Sequence, residues 1–351
     1  MSDSQSRLTD LDALRGVAVL FVLAYHYSVR FRELFPNAPH SYLHFSPGQY
    51  GVNLFFAISG FVITMTLERS RRPLDFVVAR FSRLYPAYWI AILVTSLSLW
   101  LFGGPLGTPT AAQVMVNFSM LQEFVRVESV DGVYWTLEVE LLFYGLALAL
   151  FCLGLLKRVY LPVSIWLALS AFWWANAAWD TPLAASRYAA LAGHYLILEY
   201  APFFVIGMMF YRAYRSQGSA LWNYVLIAAS LALILVFQPL VVGALIASAC
   251  VVFWKLSRGG LLALRFPPLV FIGTISYPLY LLHQKIGYEV MLGMIARGWG
   301  PASSMLAAAL VCLALAAALT FSVERPAMRA IRRCYRRASA VQAQAATSTA
   351  S

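Results

Sequence analysis

The chain has 351 residues, of which 61% are hydrophobic and only 12% are charged, and its formal net charge is +11. Soluble domains carry roughly 25% charged residues, so this composition excludes an ordinary soluble domain and predicts an all-α, polytopic membrane protein. Because the basic residues stand at predicted helix ends and in short loops, the positive charge indicates membrane topology and contact with lipid rather than nucleic-acid binding.

Repeated apolar segments of about 20 residues predict ten transmembrane helices. Most of the 26 basic residues fall on one side of this arrangement, which predicts that both termini are cytoplasmic. We expect residues 1–337 to form one membrane domain and the Ala/Ser/Thr/Gln-rich residues 338–351 to be a disordered tail. The predicted helices are 11–30, 48–67, 84–102, 135–156, 160–178, 195–213, 221–237, 240–256, 268–290 and 303–323.

The first predicted helix carries two ionisable side chains, Arg15 and His26, eleven residues apart. Eleven helical steps of about 100° return to within about 20° of the start, so both lie on one face, about 16 Å apart along the axis. Ionisable groups in membrane helices are costly and often functional, and an imidazole suits general-base work. The alternatives are a snorkelling Arg15 paired with Asp12, and a His26 bonded to a neighbouring helix.

Two more arginines, Arg80 and Arg83, lie three residues apart at the start of the third predicted helix. Their spacing places them on one helix face, where two guanidinium groups suit a polyanionic ligand. The alternative is that such arginines only set the membrane topology, and this explains the nearby arginines at 69, 71 and 72 well. In the second helix, Gly60 predicts close helix packing.

Further polar side chains stand in predicted outer halves of helices. WTLEVELLFY contains Trp135, Glu138 and Glu140, and ISYPLYLLHQ contains Tyr277 and His283. Glu138 and Glu140 are two residues apart and therefore face different sides of their helix. Trp135 also fits an interfacial aromatic belt, and Tyr277 also fits helix packing. The histidines and cysteines show no metal-ligand spacing, so we predict no metal site.

Six segments, in this order, resemble the acyltransferase-3 family of integral membrane O-acyltransferases. LDALRGVAVLFVLAYH is similar to that family's first-helix signature, and RFSRLYPAYW to its RxxR segment. WTLEVELLFY resembles its tryptophan-to-glutamate motif, with Glu140 at the family's glutamate. The other matching segments are NLFFAISGFVI, ISYPLYLLHQ and SVERPAMR.

The resemblance implies a bacterial inner-membrane enzyme that moves an acyl group, expected to be acetyl, from cytoplasmic acyl-CoA to a sugar or glycolipid hydroxyl, often on the far side. It implies that Arg15, Arg80 and Arg83 bind acyl-CoA, that His26 and Glu140 are catalytic, and that no cofactor is bound. We expect Trp135, Glu138, Tyr277 and His283 on the acceptor side.

Two other classes of protein compete with this interpretation. A transporter or flippase fits the composition equally well, although the chain lacks the paired repeats and matching broken helices of such proteins. A purely structural membrane subunit would leave Arg15, His26 and Glu140 unexplained. The acyl group, the acceptor and the oligomeric state are left open by the sequence.

Overall fold

The computed structural model describes residues 2–102, 104–181, 186–258 and 266–348, and these form helices joined by turns and loops, with no strand among them. Six of the described helical segments are long and apolar enough to cross a membrane. This confirms the all-α membrane architecture, since a chain in lipid must satisfy its backbone hydrogen bonds within its own helices. The six segments are Ser46–Arg69, Pro73–Phe102, Gly132–Cys152, Tyr160–Ala178, Ala220–Phe237 and Pro301–Ser339.

Each of the ten predicted spans overlaps at least one described helix, while the number of membrane crossings and the side of the termini stay predictions. The helices are α1 Ser2–Tyr25, α2 Gly51–Arg69, α3 Pro73–Phe102, α4 Ala111–Asn117, α5 Trp135–Cys152, α6 Tyr160–Ala178, α7 Arg187–Tyr195, α8 Ala201–Tyr214, α9 Ala220–Phe237, α10 Leu240–Ser257, α11 Pro267–Thr274, α12 Ser276–Leu282, α13 Lys285–Ile295, α14 Pro301–Leu319 and α15 Arg325–Ser348.

Helix α8 is the most enclosed part of the bundle, because every residue from Ala201 to Tyr211 is buried. It packs against α2 through two glycines, and a methyl group on either one would collide with the facing backbone. Gly60 meets the carbonyl of Phe204, and Gly207 meets that of Ala57. The close packing predicted at Gly60 is therefore confirmed, and it fixes α2 firmly in the centre of the bundle.

Two predicted spans are interrupted rather than continuous. Within 195–213, α8 has 14 residues and is preceded by the separate α7. Fourteen helical residues reach about 21 Å, less than the roughly 30 Å hydrocarbon core. Within 268–290, breaks at Ile275 and at His283–Gln284 separate α11, α12 and α13. Pro278 removes one backbone donor there, and Asp131 Oδ2 accepts from the Lys285 amide at 3.0 Å just beyond the second break.

Two π-helical turns continue the regular helices, His26–Arg30 after α1 and Thr320–Glu324 after α14. Such turns admit an extra residue and rotate the side chains that follow. One of them begins at the predicted base His26, and the other ends at Glu324, a buried carboxylate.

The last helix, α15, runs through most of the segment 338–351, for which we expected disorder. Its sequence is rich in alanine and glutamine and has no glycine or proline after Pro326, which favours helix. It is attached to α3 by hydrogen bonds from Arg332 to Ser82 Oγ (3.0 Å) and to the Ala79 carbonyl (3.2 Å).

Candidate active site

A first cavity, of about 110 Å³, collects three predicted residues that are far apart in sequence. Arg15 comes from α1, and Arg80 and Arg83 come from the first part of α3. We call it the arginine cavity. The remaining lining residues are Val52, Phe55, Phe56, Ile58, Ser59, Val62, Leu84, Thr136, Leu137, Glu140, Tyr144, Ser276, Tyr277 and Tyr280.

Two of the arginines are held by carboxylates beside the cavity. Arg15 pairs with Asp12 at 2.9 Å, which confirms the local pairing suggested by their spacing. Arg83 pairs with Glu324, whose side chain is only 1% exposed. A charge in an apolar bundle needs such a partner, so these ion pairs keep both guanidinium groups in place within the membrane protein.

Arg80 is bound differently, because its hydrogen bond goes to an uncharged group. Its Nη2 donates to Thr66 Oγ1 at 2.9 Å, and its guanidinium lies 5.8 Å from the ring centre of Tyr144. Its buried Nε has no hydrogen-bond partner among the described residues. Arg80 therefore has donor capacity left for an anion and carries no carboxylate partner among the described residues.

Glu140 lies in the arginine cavity, whereas we expected it near the outer mouth beside His26. Its Oε1 accepts hydrogen bonds from Ser59 Oγ and from the Tyr144 hydroxyl, both at 2.6 Å. The difference arises from the rotation of α5 about its axis, which the sequence does not fix. The helix turns Glu140 toward α2 and the arginines, and turns Glu138, about 200° away, toward α7.

A second and wider cavity, of about 480 Å³, contains His26, and we call it the histidine cavity. Trp135 lines it as well, with its ring centre 5.9 Å from that of Tyr200 and the two ring planes tilted by 41°. Its other lining residues are Val22, Tyr25, Arg30, Gln49, Tyr50, Val52, Asn53, Gly132, Val133, Glu199, Phe203, Gln238, Tyr280 and Gln284.

His26 forms a pair with the fully buried His283. The ring nitrogens His283 Nε2 and His26 Nδ1 are 3.2 Å apart. His283 Nδ1 lies 2.8 Å from the Tyr280 carbonyl, which can only accept, so in the neutral ring Nδ1 carries the proton and Nε2 is an acceptor. His26 Nδ1 must then donate, and it also faces the Val22 carbonyl at 2.8 Å.

These contacts assign the tautomer of His26. With its proton on Nδ1, the lone pair is on Nε2, and Nε2 forms no hydrogen bond with the described residues. Because Nδ1 faces α1 and His283, Nε2 on the opposite edge of the ring is the nitrogen available to the cavity. A neutral imidazole held in this way can accept a proton from a hydroxyl group.

The two cavities meet at two residues that line both, Val52 of α2 and Tyr280 of α12. The Tyr280 hydroxyl is 2.8 Å from Thr136 Oγ1 and donates to the Val133 carbonyl at 3.1 Å. The arginines and His26 thus belong to adjacent spaces separated by this pair of side chains, as the eleven-residue interval along α1 suggested.

The remaining predicted acceptor-side residues are distributed over different places. Tyr277 lies in the arginine cavity, where its ring faces Arg83 at 5.7 Å, because α12 turns it toward α3. Glu138 lines neither cavity and pairs with His194 at 3.0 Å. Only Trp135 opens directly onto the histidine cavity, and His283 acts there through its contact with His26.

Sequence reasoning missed three residues that line these cavities, Ser59, Tyr144 and Glu199. It also missed Glu324, which lines neither cavity but pairs with Arg83. The sequence did offer a reason to select Ser59, because it is a polar residue next to a packing glycine in an apolar helix. There was one for Glu324 as well, because it is a carboxylate at the end of an apolar span. No group of three or more His, Cys, Asp or Glu side chains suited to a metal occurs among the described residues.

Comparison with known proteins assigns the chain to a family. The model of the acyltransferase-3 family, described as an acyltransferase domain, matches residues 8–323. The chain belongs to this family. It is a multi-pass membrane acyltransferase, transferring groups other than amino-acyl groups, and this membership excludes the transporter and structural alternatives.

Curated relatives cover much of the chain. The exopolysaccharide production protein ExoZ of Rhizobium meliloti is 28% identical over 318 residues, covering 84% of this chain and 94% of ExoZ. The acyltransferase MdmB of Streptomyces mycarofaciens is 24% identical and covers 93% of each chain. The peptidoglycan O-acetyltransferase OatA of Listeria monocytogenes is 31% identical over 97 residues, 26% of this chain and 14% of OatA. No solved structure matches the chain.

Proposed function

We propose that the protein transfers an acetyl group from acetyl-CoA, bound at the arginine cavity, to a hydroxyl group of a polysaccharide or lipid-linked glycan in the histidine cavity. The observation that carries the proposal is the meeting of the two cavities at Val52 and Tyr280. On one side are three arginines, and on the other is Nε2 of His26, which forms no hydrogen bond within the described part of the chain. The names of ExoZ and OatA support a glycan acceptor.

The arginine cavity suits the donor for electrostatic reasons. Arginine binds phosphate oxygens through its planar fork. The Nε donor of Arg80 has no partner in the part of the chain that the structure describes. The phosphates of CoA would lie at this end, and the narrow pantetheine arm would enter the space between α2 and α12 and carry the thioester toward Tyr280. The ion pairs Arg15–Asp12 and Arg83–Glu324 fix the cationic wall before the donor arrives.

His26 acts on the acceptor. Its Nε2 removes the proton of the acceptor hydroxyl as that oxygen attacks the thioester carbonyl, forming the new C–O bond. The C–S bond then breaks, and the imidazolium returns the proton to the leaving sulfur, giving CoA thiol and the ester. His283 holds the imidazole through its Nε2, so the reacting nitrogen faces the cavity throughout the step.

Glu140 belongs to the donor half of this mechanism. It accepts hydrogen bonds from Ser59 and Tyr144, and all three lie in the arginine cavity. Its carboxylate orients these hydroxyls and balances part of the cationic charge of the wall.

We infer that donor and acceptor reach the site from opposite faces of a bacterial inner membrane, with the arginines at the cytoplasmic face. The positive-inside rule supports this orientation. The test uses oriented vesicles that contain the protein, with radiolabelled acetyl-CoA and a membrane-impermeant glycan acceptor supplied separately to each face. Transfer is expected only with acetyl-CoA on the arginine side and glycan on the histidine side. Transfer with both on the cytoplasmic face alone would contradict the geometry.

A further inference from the structure

The boundary between the two cavities restricts the size of the acyl group. Val52 and Tyr280 line both cavities, so these two side chains lie at the boundary that an acyl group carried from the arginine side to His26 would cross. We call this pair the Val52–Tyr280 constriction. The inference rests on the proposed function and concerns which donors that function accepts.

Tyr280 has little freedom to move aside. Its hydroxyl is 2.8 Å from Thr136 Oγ1 and 3.1 Å from the Val133 carbonyl, and its side of the constriction is therefore attached to the start of α5. Its ring is wedged between Phe55, at 6.0 Å, and His283, at 5.6 Å. Displacing the ring would break both hydrogen bonds and disturb the histidine that holds His26.

Val52 forms the other side of the constriction, and its side chain is equally rigid. A β-branched side chain on a helix has essentially one χ1 rotamer, so its two methyl groups cannot rotate out of the way. The helix that carries it, α2, is itself fixed against α8 by the contacts of Gly60 and Gly207. The width of the constriction is therefore set by packing, and not by a mobile loop.

The space on the donor side is small. The arginine cavity measures about 110 Å³, less than the roughly 150 Å³ of an engineered protein cavity that accepts benzene. It has to hold the thiol end of the pantetheine arm as well as the acyl group. A longer acyl chain would press against two immobile walls, and overpacking of this kind is disfavoured.

We propose that the Val52–Tyr280 constriction selects acyl-CoA donors with two or three acyl carbons and rejects longer ones. Val52 determines the cut-off, because it is the wall whose size can change without breaking a hydrogen bond. One methylene in an apolar pocket changes selectivity by about 10- to 200-fold, and this is the expected fall in kcat/KM from propionyl- to butyryl-CoA.

The experiment uses the full-length protein purified in octyl β-glucoside, whose glucosyl hydroxyls are the probe acceptor. Release of CoA thiol and formation of acyl octyl glucoside are measured with acetyl-, propionyl-, butyryl- and hexanoyl-CoA. Val52→Ala should raise the butyryl-to-acetyl ratio of kcat/KM at least about 10-fold. Val52→Ile, which adds one methylene, should lower the propionyl-to-acetyl ratio.

Two matched variants control for the loss of methyl groups. Val62→Ala makes the same truncation on α2 at a residue that lines the arginine cavity alone. Val252→Ala makes it on α10, at a residue that lines neither cavity. Val252→Ala should keep the wild-type butyryl-to-acetyl ratio, and Val62→Ala should raise that ratio less than Val52→Ala does. Tyr280→Phe keeps the ring but loses both hydrogen bonds, and should accept butyryl-CoA better than wild type does.

The outcomes separate this inference from the proposed function. If Val52→Ala keeps the wild-type butyryl-to-acetyl ratio of kcat/KM and still transfers acetyl groups, the proposed selection at the constriction is wrong and the proposed function is unaffected. An equal relaxation in Val62→Ala also overturns the proposed selection, since total volume would then decide the selectivity. If Val52→Ala does not fold, an unchanged ratio in Val52→Ile is decisive. Wild-type protein that turns over none of the four donors contradicts both proposals.

Discussion

The arginine cavity and the histidine cavity share several helices, but they differ in volume and in how their ionisable side chains are partnered. In the first, of about 110 Å³, Arg15 and Arg83 have carboxylate partners and Glu140 has two hydroxyl donors. The second is about 480 Å³, and Nε2 of His26, the proposed base, has no hydrogen-bond partner among the described residues. A narrow, charged space suits the CoA part of the donor, which is the same in every acyl-CoA, whereas a wide space suits a bulky glycan. In the proposed mechanism, donor recognition and proton transfer therefore take place in separate cavities.

The largest effect should come from the histidine cavity. His26→Ala removes the base, and turnover should fall by about 10²- to 10⁴-fold while acyl-CoA binding is retained. Turnover is measured by thiol release and binding by titration calorimetry. His194→Ala, on the exposed histidine that pairs with Glu138, is the control and should leave turnover unchanged. Near-normal turnover in His26→Ala would show that another group removes the proton.

The next effect concerns His283, which acts through His26. His283→Leu removes the acceptor for His26 Nδ1 and should lower kcat by about 10-fold, with the KM for acyl-CoA unchanged. His283→Gln can place a carbonyl oxygen there and should restore part of the rate. A purely structural role would lower the melting temperature of both variants alike and give no rescue, so the two readouts distinguish positioning from packing.

Substitutions in the arginine cavity should weaken acyl-CoA binding rather than slow the chemical step. Arg80→Lys keeps the charge but loses the planar fork, and should raise the KM for acyl-CoA by about 10-fold with little change in the acceptor KM. Arg83→Lys should do the same, provided that the pair with Glu324 survives. The control is Arg71→Lys, an exposed arginine outside both cavities. Equal donor affinity in wild type and both cavity variants would assign these arginines to topology alone.

The sequence predicted the grouping of the three arginines better than the positions of Glu140 and the acceptor-side candidates. Arg15, Arg80 and Arg83 stand near helix ends, and arginines there are constrained both by the membrane surface and by the three-residue spacing, so they were expected together and were found together. Glu140 was misplaced because α5 is apolar on nearly every face, and such a helix carries no pattern that fixes its rotation.

The fold, too, was predicted only in part. Long apolar segments identified the helices, because lipid demands them. The breaks at 196–200 and at Ile275 were not predicted, since the flanking residues are just as apolar as those in unbroken spans. The contact between His26 and His283 joins residues 257 positions apart, and only tertiary packing brings them together.

The smallest effect tests whether Glu140 belongs to the donor side. Ser59→Ala removes one of two hydrogen bonds to its carboxylate and leaves that of Tyr144, so kcat/KM for acyl-CoA should fall only about 3- to 10-fold, which corresponds to the net contribution of about 0.5–1.5 kcal/mol from one typical hydrogen bond. The acceptor KM should not change, because Ser59 lines the arginine cavity alone. The matched control is Ser98→Ala, since Ser98 also donates to a glutamate, Glu289, but lines neither cavity. If Ser59→Ala instead raised the acceptor KM and left donor kinetics intact, Glu140 would act on the glycan, and the separation of the two cavities would have to be abandoned.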